Sequence, residues 1–115
     1  MVDEDEGVER SFKLLLGLLC LEMESFHSAE ELLVRLPHRT PDCLIAEVYL
    51  PGMSGIDLLR ELRARGLRIP VILMATHANV PLAVEAMQLG ALDFIEKPFV
   101  DRVLVSRVKQ ALAQR

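Results

Sequence analysis

The run Cys43-Leu44-Ile45-Ala46-Glu47-Val48-Tyr49-Leu50, with the Pro51-Gly52-Met53-Ser54-Gly55 that follows it, decides the fold. A strand that is apolar on nearly every residue, rather than on alternate ones, has both faces covered, which is the condition of a parallel sheet flanked by helices. Glu47 is the one charge inside the run and stands towards its carboxyl end. Proline and glycine then mark a turn. Ser54 is placed to cap a helix in which Asp57 is the third residue, and Gly66 can take the left-handed conformation that ends it.

Outward from this unit the pattern repeats. Pro70 to Ala75 has the same two-faced apolar character and predicts a second covered strand. Asn79 can cap a helix that carries Val84, Met87 and Leu89 and stops at Gly90; Leu92 to Ile95 predicts a short strand. Val100, Val103, Leu104, Val108 and Leu112 give a last amphipathic helix. Towards the N-terminus, Val8, Phe12, Leu15, Leu16 and Leu19 fall on one helical face, and Leu21 to Phe26 alternates as an edge strand does. Ser28 with Glu31 three residues later forms a capping box, and Pro37 marks that helix's end. Strands alternating with helices call for a parallel α/β sheet, because each crossover must return over one face.

The acidic cluster begins at Asp3, so only Met1 and Val2 are left for a first strand, against a usual length of about five or six residues. Either the natural chain starts further upstream or this strand is unusually short. In the second case its neighbours are expected to lack backbone partners.

A length of 115 residues suits one domain spanning 1–115. With 51% apolar and 26% charged residues, the chain has the composition of a folded globule and not of a disordered segment. Its apolar stretches fall short of the roughly 18 residues of a membrane span, and its acidic start is unlike a signal peptide, which reads as a cytoplasmic protein. The net charge of −4, without a basic stripe interleaved with aromatics, argues against nucleic acid as this segment's own partner. Cys20 and Cys43 lack metal-ligand spacing and read as idle thiols.

In an open parallel sheet the ligand crevice lies at the carboxyl ends of the strands. Asp3 and Glu4, Glu47, Thr76 and His77, and Lys97 all fall at such ends. Carboxylates converging with an ammonium suit a divalent cation and a charge partner. Solvated loop charges are the plainer alternative, since loop ends are polar in most such domains.

The ordered set of an acidic cluster near the start, Leu50-Pro51-Gly52-Met53-Ser54-Gly55, His77 to Val84 with Val80-Pro81 inside it, and Phe94-Ile95-Glu96-Lys97-Pro98-Phe99 resembles the receiver domains of the FixJ type. The resemblance covers Val2 to about Ala113. It implies a flavodoxin-like (CheY-like) three-layer sandwich, with a five-stranded parallel sheet of order 2-1-3-4-5, and a module that takes a phosphoryl group from a histidine kinase onto an aspartate. It further implies that Asp3 and Glu4 are the Mg²⁺-holding acidic pair, with Asp5 as an outer acid. Lys97 is the lysine that pairs with the phosphoryl group, with a cis bond to Pro98, and Phe94 is the aromatic switch position.

Two departures change the expected mechanism. The phosphoacceptor position is Glu47, not aspartate, and the hydroxyl-bearing switch position is Ala75. An extra methylene takes the carboxylate out of line with a donor phosphorus, and alanine cannot donate to a phosphoryl oxygen. Cys20 also replaces the glycine expected after the first helix. The reading is therefore a pseudo-receiver, not an enzyme, in which Glu47 stands as a permanent charge and can pair with Lys97. Mg²⁺ is not required, and any binding by Asp3, Glu4, Glu47 and the Tyr49 carbonyl is expected to be weak. The implied partners are a sensor kinase or an effector domain, with self-association through a face carrying Ala83, Met87, Phe94 and Arg107. Two alternatives stay open: an inefficient phosphoacceptor using Glu47 or Asp3, and a small metal-dependent enzyme with His77 and the acidic residues as ligands.

Overall fold

Apolar residues on both faces of three consecutive strands set the architecture. The structure, a computed structural model, describes residues 1–2, 10, 13–14, 24–36, 40–76, 79–97 and 101–113. Its elements are α1 (Ala29–Arg35), β1 (Leu44–Glu47), α2 (Gly55–Ala64), β2 (Val71–Ala75), α3 (Val80–Gln88), β3 (Asp93–Glu96) and α4 (Asp101–Ala113). The strands pair in parallel in the order β1-β2-β3, with Glu47 opposite Met74 and Ala75 opposite Glu96. Val2 bridges in parallel to Phe26 on one side and to Ala46 on the other. The lateral order is thus Phe26, Val2, β1, β2, β3, the flavodoxin-like order in which the first strand lies between the second and the third.

Side-chain alternation divides the core into two layers. Leu44, Ala46, Val71, Leu73 and Ala75 pack with Leu32 of α1, Leu58, Leu59 and Leu62 of α2, and Ala86 of α3. Ile45, Ile72, Met74 and Ile95 pack on the other side with Leu104 and Val108 of α4. Both faces of β2 are covered, so all five of its residues are buried. The caps sit where the sequence places them: Ser28 Oγ accepts from Glu31 N at 3.1 Å, Ser54 Oγ from Asp57 N at 3.1 Å, and Asn79 Oδ1 from Leu82 N at 2.8 Å. Glu31 Oε2 accepts from His27 N, the amide one residue before the cap, and not from the Ser28 amide that a capping box would use. Gly66 ends α2 with φ +76°.

Arg63 ties two connections together. Its guanidinium donates to the carbonyls of Leu67, Ile69 and Gly90, joining the turn after α2 to the turn before β3. Carbonyls released at helix ends need such partners, and a planar fork of donors suits several at once.

The structure corrects two expectations. The strands are shorter than the apolar runs: Val48 and Tyr49 form a bend after β1, and Leu92 precedes β3. Val84 and Val103, which the periodicity grouped with the apolar faces of their helices, are exposed at 48% and 38%, as is Met87 at 49%, a residue that the resemblance assigns to the output face. α3 buries only Ala86 fully, a small side chain that lets the helix lie close to the sheet; Leu82 and the C-cap residue Leu89 pack against the same layer, while Val80, Val84 and Met87 lie outward. Met1 and Val2 each make backbone pairs with a neighbouring segment. Met1 N donates to Glu24 O and Met1 O accepts from Phe26 N, while Val2 N donates to Ile45 O and Val2 O accepts from Glu47 N. Successive residues of a strand direct their backbone groups to opposite sides, so Met1 serves one neighbour and Val2 the other.

The expectations for the first helix and the edge strand fall largely outside the described residues, which include there only Arg10, Lys13 and Leu14, all helical, and Glu24 to Phe26. Cys20 also lies outside them. Cys43 is half-buried, and burial pushes its thiol up to about 11, with the Met1 ammonium lowering it and Asp42 raising it less. Such a thiol carries almost no thiolate at neutral pH, as an idle cysteine should. Among the described residues no helix is long and apolar enough to cross a membrane.

Candidate functional site

The carboxyl ends of β1, β2 and β3 form the site. β1 delivers Glu47 to that rim as its last residue, in a chain otherwise apolar there because both faces are covered. Glu47 is the only charged residue buried among those described, at 5% exposure. Lys97 follows β3 and its Nζ lies 2.8 Å from Glu47 Oε2, with the two side chains 14% and 6% exposed. The contact is close but not aligned as a hydrogen bond at Oε2, so its strength is Coulombic. Glu47 Oε1 accepts from Tyr49 N at 3.4 Å, a long contact made possible by the bend after β1. The Lys97 amide donates to Ala75 O at 2.8 Å, which fixes where the lysine side chain begins.

Ala75 is fully buried beneath the rim, whereas Thr76 is exposed. A methyl group therefore stands where a hydroxyl could have faced an anion. Phe94 is partly buried and packs against the core layer that contains Ala75 and Ala86. Of the expected metal ligands, Asp3 and Glu4 lie outside the described residues, as do Asp5, His77 and Pro98. Val2, the residue before Asp3, is level with Ala46, one position before Glu47. Among the described residues no three acidic, histidine or cysteine side chains come together as a metal site. Glu47 and the Tyr49 backbone are the described part of the expected set. Each Glu47 oxygen faces a donor of the chain's own, yet a carboxylate oxygen has a second lone pair with which to meet a cation.

On the expected output face, Met87 is exposed and Ala83 and Phe94 are half-buried. Arg107 is engaged within its own chain, its Nε paired with Asp93 Oδ2, while Asp93 Oδ1 accepts from Phe94 N at 2.7 Å. Val80, 76% exposed, and Val84 lie two turns and one turn before Met87 and extend that face. The sequence carried the spacing for this stripe but not its direction, since helical periodicity does not tell an inward apolar face from an outward one. Glu30 and Arg60 were not foreseen at all. Arg60 pairs with Asp57 at 3.0 Å and with Glu85 of α3 at 2.8 Å, across an open groove that also holds Tyr49, Leu50 and Leu82.

Comparison with known proteins agrees with this geometry. Residues 1–109 match the family model described as "Response regulator receiver domain". The chain is 41% identical over 114 residues to the transcriptional regulatory protein FixJ of Azorhizobium caulinodans, covering 99% of this chain and 54% of that protein. It is 36% identical over 112 residues to the response regulator protein TodT of Pseudomonas putida, covering 97% of this chain and 49% of that protein. The solved structure of FixJ-N superposes with a TM-score of 0.88 at 38% identity, covering 99% of this chain and 91% of that one. The chain thus spans about half the length of the curated relatives it matches.

Proposed function

This chain belongs to the response regulator receiver domains of two-component signal transduction, and from that premise we propose that it is a pseudo-receiver, signalling by protein contact without taking phosphate. The observation that carries the reading is the buried ion pair between Glu47 and Lys97. Phosphoryl transfer is catalysed mainly by positioning and by charge stabilisation. Here the lysine that would steady the transferred group already neutralises a carboxylate, which is one methylene too long to attack in line. Ala75 offers no hydroxyl to couple a phosphoryl group to the rest of the fold. Receiver domains typically bind Mg²⁺ at this position; here Asp3, Glu4, Glu47 and the Tyr49 carbonyl would be the residues to hold it, and binding would be weak, because magnesium demands near-octahedral oxygen geometry that a carboxylate displaced by one methylene would not supply.

The test is incubation with acetyl phosphate and Mg²⁺ followed by intact mass. The expected result is no added phosphoryl group, and a phosphoryl group mapped to Glu47 overturns the reading. The double change Glu47→Asp with Ala75→Thr is expected to gain labelling, since it returns both the shorter carboxylate and the hydroxyl.

The partners of such a module are a sensor kinase or an effector domain. Its relatives named above include transcriptional regulators about twice its length, and an effector domain reading the α3, β3 and α4 face is the corresponding output here. Val80, Val84, Met87 and Val103 expose apolar surface on that side. A constitutive state is expected to self-associate through it. Sedimentation at rising concentration should show a dimer that Met87→Glu disperses by placing charge in the apolar seam. A strict monomer at all concentrations removes the self-association part of the proposal.

A further inference from the structure

The turn after Glu47 is closed at its base and tethered at its tip. At the base, Gly55 N donates to Val48 O at 2.9 Å, and any Cβ on Gly55 would collide with the Glu47 carbonyl. At the tip, Glu30 in the first turn of α1 reaches across to accept from Met53 N at 3.2 Å. Gly52 beside it has φ +74°, and a Cβ there would stand 2.6 Å from Glu30 Oε2. Glycine is thus favoured at this point for its backbone conformation, and a side chain there would push the Glu30 carboxylate aside. Between base and tip lies Tyr49, whose amide meets Glu47 Oε1 at 3.4 Å, close to the limit at which a hydrogen bond still counts.

We propose that Glu30 is a positioning residue for the Glu47 site: by holding Met53 and lying against Gly52, it keeps the turn where the Tyr49 amide faces the Glu47 carboxylate. This rests on reading Glu47 as a fixed anion. A long hydrogen bond is sensitive to a displacement of a few tenths of an ångström, so the tether's effect is greatest on that contact. Motion or modification of α1 then reaches the site through one carboxylate and one turn.

Amide hydrogen exchange, resolved residue by residue by NMR on the 115-residue chain, tests this. In Glu30→Ala the Met53 and Tyr49 amides should exchange about tenfold faster, the order expected when one charge-assisted hydrogen bond is lost. In Glu30→Gln, whose side-chain oxygen still accepts, both should stay near the parent rate. The Leu73 amide, in the central strand, should not change in either variant. Gly52→Ala, which pushes against Glu30, should reproduce the pattern of Glu30→Ala. A Tyr49 rate unmoved in Glu30→Ala overturns the proposal, as does a Gln variant as fast as the Ala one. Equal acceleration of Leu73 also overturns it, since Glu30 would then support the whole fold and not the turn. The exchange rates are compared without a phosphoryl donor, so labelling of Glu47 by acetyl phosphate would defeat the pseudo-receiver reading while leaving this comparison of variants intact, and the two can fail separately.

Discussion

Replacing Lys97 by methionine is expected to lower the unfolding free energy by about 3–5 kcal/mol, because it leaves the Glu47 carboxylate buried without its ammonium. Methionine keeps most of the aliphatic length, so lost packing contributes little. The pair itself need not be a large net stabiliser, since taking two charges out of water offsets most of their attraction. For that reason Lys97→Met combined with Glu47→Gln should recover most of the loss, the buried charge having gone with its partner. Urea unfolding of the parent, the two single variants and the double variant forms a complete cycle that isolates the coupling. A loss below about 1 kcal/mol in Lys97→Met would mean that the contact behaves as an exposed ion pair does. The pocket would then be open enough for water, and Glu47 could not serve as a fixed internal charge.

That pair could be anticipated from sequence because each partner ends a strand. Once the apolar run around Ile45 was read as a covered strand and Leu92 to Ile95 as another with Lys97 just after it, parallel topology alone sent Glu47 and Lys97 to the same rim. Ser28, Ser54 and Asn79 were legible for a similar reason, since capping is a local interaction between residues three apart. Interactions across the fold were not. Glu30 and Met53 are 23 residues apart, and Arg60 and Glu85 are 25 apart, with nothing in either neighbourhood to mark the pairing. The directions of Val84 and Val103 were misread because periodicity reports that a helix has an apolar face, while the shape of its neighbour decides whether that face is buried. The same limit hid the part played by Ala86, a residue too small to stand out in a pattern yet the one that lets α3 approach the sheet.

The first strand was legible as an anomaly, and what its two described residues do depends on which backbone groups point which way. Val2 is fully buried, bridges Phe26 and Ala46, and gives its amide to Ile45 O and its carbonyl to Glu47 N. It therefore carries both a packing role and a share of the ladder leading to the functional residue. Val2→Ala is expected to cost about 1.5–3 kcal/mol, from two lost methyl groups and the cavity they leave. Val2→Asp should cost more than about 4 kcal/mol, since it adds a charge to a layer made of Leu44, Leu58 and Leu59. Circular dichroism followed through a urea titration measures both. Because the Val2 carbonyl accepts from the Glu47 amide, the alanine variant should also speed exchange at Glu47 more than at Ile95, which lies across the sheet in β3. An aspartate variant as stable as the parent to within about 1 kcal/mol would mean that this position is open to water. The bridge from Phe26 through Val2 to Ala46 would then not be what joins the edge of the sheet to its centre.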